Sequence, residues 1–187
     1  VRIGEALVRL KHLSAEELVR QLRRFKAEEE RFAVDARELP GYLKDNRIAE
    51  FLLELVERVA MRTAAVQIKV PKHCTKLERL NSKIIASVLI RSESSLRIAL
   101  SGDSEFAHAL TDGVFGQAPD EVLPDEMLDD AVGEFLKMLA GNALAGLEQE
   151  GIPCELDPPI RGIPPLGGYA FDLVTTVGNA TLILSEP

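Results

Sequence analysis

Two stretches decide the fold: 46-NRIAEFLLELV-56 and 130-DAVGEFLKMLA-140. Laid over one another, both read Asn or Asp, three residues, Glu-Phe-Leu, two residues, Leu. Each opens a run with apolar residues at helical spacing. In the first run these are Ile48, Phe51, Leu52, Leu55, Val56 and Val59. In the second they are Leu128, Val132, Phe135, Leu139, Ala143 and Leu147. Strand patterns follow each helix: 65–70, then 83–90 and 96–101 after the first, and 154–156, then 169–177 and 180–185 after the second. The last two of each set read as a hairpin, the second across the turn dipeptide Gly178-Asn179. The spacing therefore predicts an αβββ unit used twice, with a short helix ending near Gly113 between the copies. Such units join into a mixed or antiparallel sheet with two long helices on one face, an α/β (α+β) fold. Residues 71–82 are polar, and 157–168 hold four prolines and three glycines, so both read as irregular connections.

Outside this core, residues 1–41 predict a small helical appendage with a linker, against a main domain of 42–187. Ile3, Leu7, Val8 and Leu10 make one apolar face; Ser14 with Glu17 forms a capping box before Leu18, Leu22 and Phe25. The run from Lys26 to Arg31 is a solvated helix end.

The bulk numbers exclude several classes. A net charge of −8 argues against nucleic-acid binding. No apolar run approaches the roughly 18 residues of a membrane span. There is no signal-peptide pattern and the chain does not begin with Met, so a cytoplasmic protein, whole or part of a longer one, is expected. Cys74 and Cys154 lack metal-like spacing and fit buried thiols in a reducing cytosol. The adjacent His73-Cys74 pair has no second cluster to complete a metal site. His12 and His108 are isolated, and Ser92, Ser94 and Ser95 have no histidine beside them. Gly167-Gly168 lacks the Lys-Ser/Thr of a phosphate loop. Neither a metal nor a cofactor of its own is expected.

At 100° per residue, Asp130, Glu134, Lys137, Gly141, Ala145 and Glu148 form a stripe opposite the core face of the second helix. Glu134 and Lys137 are three apart and can pair, worth about 0.2–0.5 kcal/mol on an exposed helix. Gly141 and Ala145 are small where a solvated face would carry Lys, Glu or Gln, so another backbone could approach closely there. Asn142 falls within about 20° of Phe135 on the wheel and is expected inward or sideways, bonded to backbone.

Asp130-x-x-x-Glu134, Ala140-Gly141-Asn142-Ala143, Gly151, Glu155 and the segment Pro158-Pro159 to Gly162 together resemble the CheX-type chemotaxis phosphatases. The resemblance covers about residues 45–187, and the related CheC and FliY proteins share the duplicated plan. It implies a helix that docks on a phosphorylated CheY-like receiver, with a glutamate touching the receiver and an asparagine orienting the attacking water. The receiver supplies the phosphoryl group and holds the magnesium; a homodimer is also implied. Asp130 and Glu134 match the acidic positions, but Lys137 stands where the asparagine belongs. In the first half Asn46 and Glu50 match, and Leu53 takes the amide position. An amide both donates and accepts, whereas a protonated lysine has three donors and no acceptor.

The expectation is a CheX-like signalling domain that docks on a phosphorylated receiver, with absent or weak aspartyl-phosphate hydrolysis. Its candidate catalytic residues are Glu134 and Lys137, and its candidate docking residues Asp130, Gly141, Ala145 and Glu50. The alternatives are an active receiver phosphatase in which Lys137 plays an altered role, and a dimeric scaffold without catalysis. Separately, residues 3–22 resemble the helical N-terminal module of type II secretion and type IV pilus ATPases.

Overall fold

The computed structural model describes residues 14–21, 39–78, 80, 84–116, 124–163 and 165–187. The sequence readings for residues 1–13 and 22–38, the strand start at Lys83 and the loop 117–123 lie outside the described residues. Residues 15–21 are helical, and the Glu17 amide donates to the Ser14 hydroxyl at 3.1 Å, as the capping box requires.

Three helices carry the core: α1 (Arg47–Ala64), α2 (Ser104–Phe115) and α3 (Asp125–Gln149). Asn46 starts α1 by accepting the Ala49 amide at 3.1 Å, which satisfies one of the donors a helix start leaves open. A left-handed Ala65 ends it. Among the described residues there are eight strands, the six expected and two more: β1 (Ile68–Lys69), β2 (Thr75–Leu77), β3 (Ile84–Arg91), β4 (Leu96–Gly102), β5 (Glu155–Leu156), β6 (Ile160–Arg161), β7 (Gly168–Thr175) and β8 (Ala180–Ser185). The path across the sheet is β1-β7-β8-β4-β3-β5, with β2 also on β7 and β6 also on β3. Every pairing is antiparallel.

The duplication holds a single register. Glu134 lies 84 residues after Glu50, β7 starts 84 after β3 (Gly168 and Ile84), and β8 starts 84 after β4 (Ala180 and Leu96). At the central pairing, Ala99 of β4 sits opposite Ile183 of β8, its own counterpart. The approximate twofold axis therefore passes between β4 and β8. Each half lends its edge strands to the other half's hairpin: β1 and β2 flank β7, and β5 and β6 flank β3.

Two strands were missed in the sequence, β2 and β6, which fall in stretches read as irregular. They hold three and two residues, too few to show a period of two. Each is a strand because a long neighbour pairs with it, Leu77 opposite Gly168 and Ile160 opposite Ser87. The strand predicted over 65–70 shortens to Ile68–Lys69. The second hairpin turns over residues 176–179 rather than across Gly178-Asn179 alone. Asp103 holds that turn from outside, taking the Asn179 amide and side-chain N–H, both at 2.8 Å. The cysteines are half-buried and unpaired rather than fully buried.

The helices cover one face of the sheet, over Val88, Ile90, Ile98, Leu100, Phe171 and Leu182. A smaller cluster of Ile85, Ala99, Ala170 and Ile183 lies on the alternate positions of the same strands. Gly113 allows α2 to close on α1: a Cβ there would fall 2.3 Å from the Ala64 Cα. Among the described residues no helix is long and apolar enough to cross a membrane.

Asp103 joins the α2 start to the second hairpin, since it also accepts the Phe106 amide at 2.9 Å. Burial alone would push its carboxyl up, but the bonds from Phe106 and Asn179 outweigh burial and hold it below its ordinary value. Asp103→Ala is expected to cost about 1–2 kcal/mol, the upper range for a lost helix cap. With the folded value depressed, the stabilisation is present above the ordinary carboxylate pKa and is lost as pH falls through the lowered one. Urea unfolding of both proteins at neutral and acid pH checks this, with the gap expected to close in acid.

Candidate docking face

Helix α3 packs against β3, β4, α1 and α2, so most of its circumference is committed to the core. Leu128, Ala131, Val132, Gly133, Phe135, Leu136, Leu139, Ala140, Ala143 and Leu147 are buried. The remaining stripe is open: Lys137, Gly141, Ala145 and Glu148 are exposed, and Asp130 and Glu134 are half-exposed. This is the stripe that helical geometry predicted.

The stripe begins at a clamp. Asp129, one residue before it, accepts the Ile85 amide at 2.9 Å and ties the helix to β3. Burial pushes the Asp129 carboxyl up; that amide pulls it back, Asp125 and Asp130 push it further, and Arg161 pulls it down. Arg161, on β6, reaches over to Asp130 with Nε 2.7 Å from Oδ1. Arg161 passes close over Gly133, where a Cβ would sit in ordinary contact at 3.4 Å from the Arg161 Nε and 3.5 Å from the Pro159 Cβ. Sequence reading missed Arg161. Its partner is 31 positions away (130 against 161), and only the β6–β3 pairing brings them together.

One turn further, Lys137 Nζ lies 3.3 Å from Glu134 Oε2, with the side chains 55% and 35% exposed. The four charges thus form two opposite pairs, Asp130 with Arg161 and Glu134 with Lys137. Beyond them Gly141 has nothing within 4 Å of the place a Cβ would take. Its smallness therefore serves no contact inside the described chain.

Asn142 is exposed, which corrects the inward expectation. Past Leu139 the buried strip narrows to Ala140, Ala143 and Leu147, so a position in line with Phe135 two turns later emerges. The backbone bond expected of it is present: its Nδ2 donates to the Met138 carbonyl at 2.7 Å.

The first-half copy of the motif is used differently. Leu53, at its amide position, is 1% exposed. Asn46 is nearly buried, with its oxygen on Ala49 and its Nδ2 donating to the Ser94 carbonyl at 3.3 Å. Glu50 accepts from Arg47 at 2.7 Å, and the same guanidinium grips Glu150 and stands 4.5 Å above the Phe51 ring. Glu50 therefore lies beside the C-terminal end of α3, not beside Glu134. The structure brings Asp130, Glu134, Lys137, Gly141 and Ala145 onto one stripe and leaves Glu50 outside it. Among the described residues no three His, Cys, Asp or Glu side chains are grouped to hold a metal ion.

The chain is thus a twice-used α/β unit with one exposed, charge-paired helix stripe. Residues 84–161 match the family model described as chemotaxis phosphatase CheX. No functionally curated protein matches the chain. Among solved structures, the fold is similar to the chemotaxis protein CheX from Desulfovibrio desulfuricans at 20% identity and TM-score 0.59, covering 74% of this chain and 97% of that one. It is similar to CheX from Vibrio vulnificus at 16% identity and TM-score 0.58, covering 75% and 99%. A third is the CheX–CheY–BeF3–Mg complex from Borrelia burgdorferi, at 15% identity and TM-score 0.51, covering 73% and 97%. The fold is similar to that of the CheX and CheC-like chemotaxis proteins over about three quarters of this chain.

Proposed function

We propose that this domain docks through the α3 stripe on a phosphorylated CheY-like receiver and hydrolyses its aspartyl phosphate weakly or not at all. The CheX family match and the likeness to a CheX seen in complex with CheY support the docking half. The observation that carries the second half is Lys137, whose ammonium rests on Glu134 where the resemblance expects an amide. Glu134 contacts the receiver, Asp130 sets the helix start through Arg161, and Gly141 with Ala145 allows flush contact. Any magnesium belongs to the receiver. The working form in this reading is a cytoplasmic homodimer of the 42–187 domain, with residues 1–41 as a separate docking appendage.

The test is direct. Receiver domains of the source organism, loaded with beryllofluoride and magnesium, are titrated with the protein, and phosphate release is followed from the same receivers after acetyl phosphate treatment. Binding that requires beryllofluoride, without accelerated release, is the expected result. Fast release would restore an active phosphatase in which Lys137 has an altered role. Absence of binding to every receiver would leave a scaffold.

A further inference from the structure

We infer that the docked domain prolongs the life of the receiver's aspartyl phosphate, acting as a shield rather than a silent binder; this rests on the docking reading above. Hydrolysis requires a water oxygen to form a bond to phosphorus while the bond from phosphorus to the aspartyl oxygen breaks. The aspartate leaves as a carboxylate, inorganic phosphate keeps the hydroxyl, and the water's proton passes to an acceptor. The attacking water must therefore keep a lone pair free toward phosphorus and give its hydrogen away.

The stripe opposes the second requirement. The Lys137 ammonium can only donate. A water that accepts one of its N–H bonds keeps a second lone pair for phosphorus, but it cannot pass a hydrogen to the ammonium. The Glu134 carboxylate could accept a proton, but it lies 3.3 Å from that ammonium, so a water drawn to one meets the other. The nearest amide on the helix face, Asn142, is bonded to the Met138 carbonyl and stands two turns beyond Glu134. Toward a phosphoryl group the ammonium behaves differently: it is a cation on an exposed side chain, able to bond the non-bridging oxygens directly. Gly141 presents bare backbone on the same stripe, which lets the partner surface close without a gap for water. A cation on the phosphate, an acceptor already held by that cation and close contact together favour the intact acyl phosphate.

The experiment follows decay of receivers labelled through acetyl phosphate, after removal of the donor, with and without saturating protein. Decay slowed several-fold is expected, and Lys137→Asn, which supplies an acceptor at an exposed position, is expected to make decay faster than in the receiver alone. Unchanged or faster decay with the wild-type protein, while beryllofluoride-loaded receiver still binds, overturns the shield and leaves docking standing. Failure of the loaded receivers to bind overturns docking itself. Slowed decay that is equally strong with Lys137→Asn also overturns the inference, because the protection would then come from elsewhere.

Discussion

Phe135→Ala is expected to cost about 3–5 kcal/mol, the range for removing a fully buried aromatic ring. Phe135 is 0% exposed and is among the three phenylalanines that fill the core, with Phe106 and Phe171. It stands next to Glu134 in the sequence, pointing into the core while its neighbour faces out. A cavity there would loosen the turn that holds both Glu134 and Lys137. The internal control is Phe51→Ala, at the equivalent place 84 residues earlier. Phe51 is only half-buried, under the Arg47 guanidinium and against Gly146, where a Cβ would come within 2.4 Å of its ring. Its loss should cost clearly less, because part of the ring is already in water. Urea unfolding of the two variants checks the order. Equal costs would mean that the halves share the load evenly, against the burial seen.

The same contrast shows what the sequence could and could not disclose. Both copies of Glu-Phe-Leu advertise a helix, and periodicity alone placed α1, α3 and both hairpins within a few residues of their observed ends. The outward stripe was also legible, since its position follows from 100° per residue and the apolar face. What periodicity could not supply was anything that depends on a distant partner. β2 and β6 exist only as short additions to β7 and β3, so no local pattern marks them. Arg161 meets Asp130 only after β6 has formed. Asn142 was misplaced because a helical wheel assumes one packed side along the whole helix, whereas the packed strip of α3 narrows toward its end. The fate of the first-half motif was equally hidden. Nothing near Glu50 in the chain says that Glu150 will share its arginine.

Gly141→Arg should separate folding from docking more cleanly than any change at the charged residues. Within the described chain the position is open, with nothing within 4 Å of where a Cβ would stand, so a long side chain extends into solvent without displacing anything. Glycine in a helix interior costs about 1 kcal/mol relative to good helix formers. The variant should therefore be as stable as the wild type or slightly more so. On the docking side the same arginine would stand between α3 and any partner lying flush against it. The expected loss is about 2 kcal/mol or more, the scale of an interface hot spot, or roughly a thirtyfold weaker dissociation constant. Ser94→Arg makes the same change in charge on an exposed turn of the β3–β4 hairpin and should leave binding alone. Calorimetric titration against a beryllofluoride-loaded receiver, with thermal melts of both variants, reads the two effects apart. If Gly141→Arg melts normally and binds as tightly as the wild type, the α3 stripe is not the docking surface, and the meaning of Lys137 must be sought elsewhere.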